Sequence, residues 1–363
     1  MTGTRVKKKV NNKHGRGGEE LSAKGLSPFR ENTLPLPQKT KGDNLVHVRT
    51  AGKLGYCSGV SQAIEKAIEY GDEHGEVYSL GTVAHNEHVV ALLRQHGVEP
   101  FSPEAHHWYS SDLAEFVLPK SHPTYVVITA HGAPPELYEK IEQLHCHSLD
   151  CTCPIVKKAQ DTVRNLAADG FDIVIFGDRE HQEVKGIVGW SMGSCKFVGH
   201  QNQLFAPGQE HKELNLGPKV GVVSQTTKNP SDYRDFISTL VYHHIDQSPD
   251  VRICNTICPI VTKRIEETRN LSAVVDMMFV VGSQESANTS NLADVARPGV
   301  GFNFVYIVQD TDQIGAALSD WYVENEMTVP RVGVTGGTST PIEVVQEIVT
   351  KLKELLYEHE DRN

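Results

Sequence analysis

The sequence lacks several features that would have placed it in common protein classes. It contains no run approaching the roughly 18–20 apolar residues of a membrane-spanning helix, so no membrane partner is expected. It contains neither the phosphate loop G-x-x-x-x-G-K-S/T nor a G-x-G-x-x-G after a strand, which argues against a Walker-type nucleotide hydrolase and a tightly bound dinucleotide. Cysteine is scarce, with seven in 363 residues, which does not fit a secreted disulfide framework. A reducing, cytoplasmic compartment is therefore expected.

Positive charge is also in short supply outside the N-terminus. Residues 1–43 hold ten Lys and Arg against four Asp and Glu, while the whole chain has a net charge of −11. The remainder is strongly acidic, and this argues against nucleic-acid binding. Residues 1–43 show no apolar periodicity and are rich in Lys, Gly and Pro, so they are predicted to be a disordered basic extension. An organelle-targeting role for this extension is left open.

Apolar runs typical of buried parallel strands alternate with longer helical patterns from Leu45 onward. The predicted strands include Val77 to Leu80, Tyr125 to Ile128, Ile173 to Phe176, Val220 to Val223, Met277 to Val281, Phe304 to Val308 and Val332 to Val334. This alternation predicts an α/β protein with parallel sheets covered by helices on both faces. In such folds ligands bind beyond the carboxyl ends of the strands.

Three cysteines each precede a stretch with helical periodicity. Cys153 and Cys258 share the local sequence Cys-Pro-Ile-Val-x-Lys, and Cys57 lies in Gly-Tyr-Cys-Ser-Gly-Val. A thiolate at a helix N-terminus has a lowered pKa and is a ready metal ligand. The intervals between the three cysteines are each about the length of one small α/β unit. We therefore predict three units that each deliver one thiolate to a shared iron–sulfur cluster with one iron open to substrate.

A zinc site is the alternative use of the cysteines. It would pair Cys151 and Cys153 with Cys254 and Cys258. The spacings C-x-C and C-x-x-x-C differ from the usual zinc-binding pairs and leave Cys57 unexplained. Otherwise Cys151 and Cys254 are expected to be small buried apolar residues.

Polar side chains follow the predicted strands repeatedly. Three histidines occupy such positions, and serine, asparagine and threonine lie near the starts of later helices: His85, His131, His181, Ser286, Asn288 and Ser339. Free N–H groups at helix N-termini and neighbouring hydroxyls make anion sites. Thr340, Pro341 and Glu343 also predict a helix start with Thr340 as the N-cap and Glu343 closing a capping box.

A series of motifs in one order resembles the IspH/LytB family of 4-hydroxy-3-methylbut-2-enyl diphosphate reductases. The series comprises Gly-Tyr-Cys-Ser-Gly-Val, Ala-His-Asn, Ala-His-Gly, Thr-Cys-Pro-Ile-Val, His-Gln-Glu-Val-Lys-Gly, Ser-Gln-Thr-Thr, Asn-Thr-Ile-Cys, Gly-Ser-x-x-Ser-x-Asn-x-x-x-Leu and Val-Thr-Gly-Gly-Thr-Ser-Thr-Pro. The resemblance implies a trefoil of three pseudo-repeated α/β domains around a 4Fe-4S cluster held by Cys57, Cys153 and Cys258. The resemblance assigns the third ligand to Cys258 rather than to Cys254, because Cys258 has the spacing to Arg264 along the sequence that the family has.

The same resemblance implies the roles of the polar residues. Glu183, His181 and Thr226 are the expected catalytic residues, with Glu183 supplying the proton. The expected substrate-binding residues are His85, His131, His181, Thr226, Ser286, Asn288 and Ser339. Of these, Thr226 is expected to face the allylic hydroxyl and the other six to hold the diphosphate. A buried carboxyl beside an anionic cluster and a diphosphate should also have a raised pKa, which suits a general acid.

Several positions depart from the family pattern. Ala287 stands where the family usually has a second serine, so one hydrogen bond to the diphosphate is expected to be lost. Gln182 replaces a proline between His181 and Glu183 and is expected to loosen that turn. Gly336, Thr338 and Thr340 replace small alanines near Ser339.

The expected activity is the last step of the non-mevalonate isoprenoid pathway. The enzyme would remove the allylic hydroxyl and release isopentenyl and dimethylallyl diphosphate, with electrons from a ferredoxin- or flavodoxin-type protein. A non-enzymatic iron–sulfur or zinc sensor on the same scaffold is the alternative. The expected organisation is the extension at 1–43, α/β domains at 44–152, 153–257 and 258–340, and a C-terminal helix and tail at 341–363.

Overall fold

A computed structural model describes most of the chain. The described residues are 47–84, 86–101, 123–204, 214–246, 248, 250–326 and 328–360. The predicted basic extension and His85 lie outside them. The described strands are β1 Val48–Thr50, β2 Val77–Leu80, β3 Val98–Pro100, β4 Tyr125–Ile128, β5 His147–Asp150, β6 Asp172–Phe176, β7 Cys195–Gly199, β8 Lys219–Ser224, β9 Asp250–Ile253, β10 Met277–Val281, β11 Val305–Val308 and β12 Val332–Gly336.

Helices connect these strands. They are α1 Ser58–His74, α2 Glu87–Gln95, α3 Pro135–Gln143, α4 Pro154–Ala168, α5 Gln182–Gly189, α6 Gln201–Leu204, α7 Pro230–His244, α8 Pro259–Ser272, α9 Ala287–Val300, α10 Ile314–Glu324 and α11 Ile342–Glu360, with a 3-10 turn at Phe302–Phe304. None of the helices among the described residues is long and apolar enough to cross a bilayer.

The strands form three parallel sheets of four strands each. Their orders are β3-β2-β4-β5, β7-β6-β8-β9 and β11-β10-β12-β1. Each sheet therefore has the same layout. Its first strand (β2, β6 or β10) is central, and its second strand (β3, β7 or β11) is at one edge. Its third strand (β4, β8 or β12) lies on the other side of the first, and its fourth strand (β5, β9 or β1) is at the other edge. The α/β fold class and its trefoil arrangement of three parallel sheets are confirmed.

The fourth strand of the last sheet comes from the beginning of the described chain. Val48–Thr50 pairs in parallel with β12, in the register Val48 to Val332. β1 thus takes the place that β5 and β9 have in the other two sheets. This pairing joins residues of the predicted first and third domains, and the domain bounds themselves stay a prediction.

Residues on the two faces of the middle sheet pack against different helices. Ile173 and Ile175 pack with α4 and α5, whereas Val174 and Phe176 pack with Tyr233 and other residues of α7. Side chains alternate between faces along a strand, so a central strand covered on both faces must be apolar throughout. The sheets are consequently rigid supports for the loops at their carboxyl ends.

Candidate active site

Each of the three cysteines occupies an equivalent place in its sheet. Cys57, Cys153 and Cys258 follow the fourth strands β1, β5 and β9, and each is the N-cap of the next helix, α1, α4 or α8. Pro154 and Pro259 are first residues of their helices, as predicted.

The backbone repeats the same contact at each cysteine. The N–H groups of Cys57, Cys153 and Cys258 donate to the carbonyls of Thr338, Ala130 and Thr226, at 3.1, 3.0 and 2.8 Å. Each acceptor lies two residues after the third strand of its sheet. The three thiols are thereby held at the carboxyl ends of the strands in all three sheets.

A cavity lies where these carboxyl ends meet. The three cysteines line it together with these residues: Gly59, Val60, Ala130, His131, Ile155, Val156, His181, Glu183, Thr226, Thr227, Val261, Ser286, Ala287, Asn288, Thr338 and Ser339. Every predicted site residue among the described ones is therefore at the cavity. His85 is outside the described residues.

Gly59 keeps the space between two of the thiols clear. A Cβ atom added there would lie 2.6 Å from Cys153 Sγ and 4.0 Å from Cys57 Sγ. Thiolates are the ligands of iron–sulfur clusters and of zinc. Within the described part of the chain, no group of three or more His, Cys, Asp or Glu side chains is arranged to hold a metal ion. The three thiols carry the donor atoms that an iron–sulfur cluster would need.

The expected lowering of the thiol pKa at the helix N-termini is wrong for Cys57 and Cys153. Burial raises the pKa of Cys57 and Cys153, and this outweighs the lowering by N–H groups of Val60, Ile155 and Val156. These N–H groups act in the predicted direction, but desolvation is the larger effect.

Cys151 and Cys254 take no part in the cavity lining. Cys151 is buried directly after β5, and Cys254 packs against the apolar core on the α4 face of the middle sheet. Cys151 is therefore buried as expected, whereas Cys254 is only partly buried. Neither lies at the cavity with Cys153 and Cys258, so the zinc pairing is not formed.

Glu183 is buried at the cavity wall. Its Oε1 accepts the Thr226 N–H at 2.6 Å, and its Oε2 accepts the Thr226 hydroxyl at 2.9 Å. Burial raises the pKa of Glu183 to about 7, although both hydrogen bonds and the charge of Lys228 act in the opposite direction. The predicted raised pKa is confirmed, with burial as the cause.

The sequence did not single out Lys228. Its ammonium group is nearly buried, lies 2.7 Å from Asp178 Oδ2, and acts on the charge of Glu183. Its position two residues after Thr226 was the available signal. That signal was weak because lysine after a strand is commonly exposed.

His131 and His181 stand edge to face, with ring centroids 5.7 Å apart. His181 is the N-cap of α5, and its Nδ1 accepts the N–H of Glu183 at 3.2 Å. His131 Nδ1 lies 3.4 Å from the Thr129 hydroxyl. The two imidazoles line the cavity on the side of the first and second sheets.

The N-terminus of α9 supplies further polar groups to the cavity lining. Ser286 is the N-cap, and its hydroxyl accepts the Thr289 N–H. Asn288 is 2% exposed, and neither its Oδ1 nor its Nδ2 has a hydrogen-bond partner among the described residues. A buried amide left in this way is unfavourable unless something else satisfies it. Asn288 and the helix terminus together can receive an anion.

Two local expectations are wrong. Thr340 does not cap α11, because its hydroxyl donates to the Val281 carbonyl at 2.9 Å and the helix begins at Ile342. Gln182 does not loosen its turn, because its side chain donates to the Leu80 carbonyl and to Thr129 Oγ1.

Arg264 brings a positive charge to this region. Its guanidinium is buried and donates to the carbonyls of Gly336 and Gly55, at 2.7 and 2.5 Å. The same charge favours the thiolate form of Cys57. One side chain of α8 thus joins the loops around β1 and β12 and offsets negative charge at the thiols.

Comparison with known proteins gives a consistent result. A family model described as LytB protein matches residues 48–353. A protein of Geobacter metallireducens named 4-hydroxy-3-methylbut-2-enyl diphosphate reductase is 32% identical over 84% of this chain and 96% of its own length. A protein of the same name from Caldanaerobacter subterraneus subsp. tengcongensis is 31% identical over 87% of this chain and 100% of its own.

Solved structures match over a similar extent. One is described as (E)-4-hydroxy-3-methyl-but-2-enyl diphosphate reductase, the terminal enzyme of the non-mevalonate pathway. It aligns with a TM-score of 0.55 and 25% identity over 85% of this chain and 99% of that chain. A Plasmodium falciparum reductase aligns with a TM-score of 0.69 and 23% identity over 84% of this chain and 86% of that chain, which supports the fold.

Proposed function

The chain belongs to the LytB protein family, and on that premise we propose that it is a 4-hydroxy-3-methylbut-2-enyl diphosphate reductase. The reaction consumes two electrons and two protons, removes the C4 hydroxyl as water, and releases isopentenyl or dimethylallyl diphosphate. One observation carries the proposal. Three helix-capping thiols, a buried acid and a buried amide that has no hydrogen-bond partner among the described residues line one cavity.

Cys57, Cys153 and Cys258 are the residues that would hold a 4Fe-4S cluster. Gly59 leaves room between two of the thiols, and the Arg264 guanidinium favours the anionic form of Cys57. Such a cluster, when bound, supplies electrons and a Lewis-acidic iron. The chain would contribute three thiolates and leave one iron to the substrate.

Glu183 and Thr226 form the proposed proton supply. When Glu183 is neutral, its Oε1 can keep accepting the Thr226 N–H while the proton on Oε2 faces the Thr226 hydroxyl oxygen. As the Glu183 proton passes to the Thr226 oxygen, the Thr226 hydroxyl hydrogen passes to the leaving hydroxyl of the substrate, and Glu183 is left as the carboxylate. Hydroxide is a poor leaving group unless it is protonated, so this transfer is needed for C–O cleavage.

The diphosphate would occupy the part of the cavity that is lined by the histidines and by the N-terminus of α9. His131, His181, Ser286, Asn288 and Ser339 are the described residues proposed to bind it, with His85 as a further one from sequence resemblance. Hydrogen bonds to charged phosphate oxygens are stronger than neutral ones, and the N-terminus of α9 adds its dipole. These local groups would offset the acidic charge of the rest of the chain.

The remaining expectations stay predictions. They are an electron donor of the ferredoxin or flavodoxin type and a cytoplasmic location. A non-enzymatic sensor is not favoured, because the matching relatives named above are reductases and the residues suited to proton transfer are present at the cavity.

The proposal is tested with protein purified without oxygen. We expect about four irons per chain. With a reduced viologen dye as electron source, the protein should convert 4-hydroxy-3-methylbut-2-enyl diphosphate into isopentenyl and dimethylallyl diphosphate, detected by mass spectrometry. A protein that holds the cluster but releases neither product would contradict the proposal.

A further inference from the structure

Gln182 connects two sheets at the cavity. It is the first residue of α5, between His181 and Glu183, and belongs to the loop that follows β6. Its Nε2 donates to the Leu80 carbonyl at 3.0 Å and to Thr129 Oγ1 at 3.1 Å. Leu80 ends β2, and Thr129 follows β4, so both acceptors belong to the first sheet. The side chain therefore ties the histidine of one sheet to the loop that carries the histidine of another.

Close packing restricts where this amide can lie. A Cβ atom added to Gly81 would lie 2.8 Å from both Nε2 and Oε1 of Gln182. Gly81 has a φ of +92°, which glycine adopts readily and other residues rarely do. The amide thus packs closely against the Gly81 backbone, and its hydrogen bonds to Leu80 and Thr129 hold it there.

The hydrogen bonds also bear on the proton of His131. Thr129 Oγ1 accepts from Gln182, so its own hydrogen is available for His131 Nδ1 at 3.4 Å. In the tautomer in which Thr129 is the donor, the imidazole proton of His131 is on Nε2. His181 receives the N–H of Glu183 at its Nδ1, which places its proton on Nε2 as well. Both rings then have the same nitrogen as a donor toward an anion.

We propose that Gln182 is a positioning residue for the diphosphate-binding end of the cavity. It fixes the separation of His131 and His181 and, through Thr129, orients the ring of His131. The inference rests on the proposed function, since it assumes that the two histidines bind the diphosphate. Glu183 is held independently by Thr226, so substrate affinity should depend on Gln182 more than proton transfer does.

Gln182→Leu removes both donors and keeps a similar volume. The probe is inorganic diphosphate, titrated by calorimetry into protein that carries its cluster. We expect the dissociation constant and KM to rise about tenfold, as for the loss of a supporting hydrogen bond, with kcat within threefold of wild type. The matched control is Gln201→Leu, which removes an amide-to-threonine bond of the same kind to Thr239, away from the cavity. It should leave both constants unchanged.

Two variants of Thr129 separate positioning from general destabilisation. Thr129→Val should weaken diphosphate binding as Gln182→Leu does, and Thr129→Ser should retain wild-type affinity. The double variant should bind diphosphate no more weakly than the weaker-binding single variant. The reason is that both substitutions break the same series of hydrogen bonds, from Gln182 through Thr129 to His131. If the wild type binds diphosphate and Gln182→Leu has the same dissociation constant, the inference is overturned. It is also overturned if the effects of the Gln182 and Thr129 substitutions are fully additive in the double variant. Absence of diphosphate binding by the wild type would instead overturn the proposed anion site, and with it this role.

Discussion

Burial controls the chemistry of the acidic and thiol side chains at the cavity. Glu183 accepts two hydrogen bonds that stabilise its anion, yet its pKa rises to about 7 because desolvation is larger. The same balance raises the pKa of Cys57 and Cys153 despite their N-capping positions. A rule that considers only the helix dipole predicts a lowered thiol pKa, which is the wrong direction for these two cysteines.

Glu183→Gln tests the proton supply. Glutamine retains shape and can still accept the Thr226 N–H, but it has no acidic proton to transfer. We expect full iron content and near-normal KM, with kcat lower by roughly 10²–10⁴, the usual contribution of a positioned proton donor. Steady-state kinetics and iron analysis on the same preparation check this.

Glu180→Gln is the matched control for that variant. Glu180 lies in the same loop, is exposed and pairs with Lys185 at 3.0 Å. An exposed ion pair contributes little to stability. Its removal should leave turnover within a few-fold of wild type. Equal turnover in the two variants would move the proton donor away from Glu183.

The pH dependence of kcat should report the same group. A general acid is active when protonated, so kcat should fall as pH rises through the pKa of Glu183, at about pH 7 or above. Bound anions would raise this pKa further, because like charge disfavours the carboxylate. A pH–rate profile that is flat from pH 6 to 9 in the wild type would contradict the assignment.

At the scale of elements, the N-terminus of α9 joins a helix dipole to a buried amide. Asn288→Ala removes this amide, which has no hydrogen-bond partner among the described residues. We expect KM to rise roughly tenfold to a hundredfold, since a bond to a charged group contributes about 1.5–3 kcal/mol. The melting temperature without substrate should be unchanged or higher, since the substitution removes no hydrogen bond seen in the structure.

Asn291→Ala is the control on the same helix. Its Nδ2 donates to the Thr227 carbonyl at 2.5 Å. Replacement removes an internal hydrogen bond, so the free energy of unfolding should fall by about 0.5–1.5 kcal/mol, with a smaller change in KM. A loss of stability in Asn288→Ala larger than in Asn291→Ala would assign Asn288 a structural role.

Ala287→Ser restores a hydroxyl at the first residue of α9. Ala287 lines the cavity beside Ser286. A hydroxyl there adds a hydrogen-bond donor near the proposed diphosphate, so KM should fall or stay unchanged. Competition by inorganic diphosphate measures the effect. A clear rise in the inhibition constant would place the anion elsewhere.

The strands show which elements a sequence pattern can find. All six central strands and β11 were predicted, because strands buried on both faces are continuous apolar runs. The five that were not predicted, β1, β3, β5, β7 and β9, are all at sheet edges. β5, for example, reads His-Ser-Leu-Asp and is mostly exposed. These five edge strands are short or mixed in composition, and only their pairing with a neighbour reveals them. β11 is also at an edge, but it is an apolar run and was therefore found.

At the scale of the whole molecule, one layout occurs three times. In each sheet the fourth strand leads to a cysteine whose N–H donates to the loop after the third strand. In the last sheet the fourth strand is β1, from the other end of the described chain. Closure of the trefoil therefore places Cys57 beside Cys153 and Cys258.

The cysteine variants test this convergence. Cys57→Ser, Cys153→Ser and Cys258→Ser should each lose iron and activity, since each unit supplies one ligand. Cys151→Ser and Cys254→Ser should keep both, because neither lines the cavity. Iron content of the five proteins is the measurement. A Cys254→Ser protein without iron would show that the third ligand is assigned wrongly.

Local sequence determined the parallel α/β class, the helices that begin after the three cysteines, and the identity of the polar residues after the strands. Those features depend on periodicity and capping, which act over a few residues. Tertiary structure alone decided that β1 completes the last sheet and that Gln182 ties two sheets together. It also decided that burial raises the pKa of Glu183. Each of these depends on contacts between residues far apart in the chain, and on exclusion of water that no single segment produces.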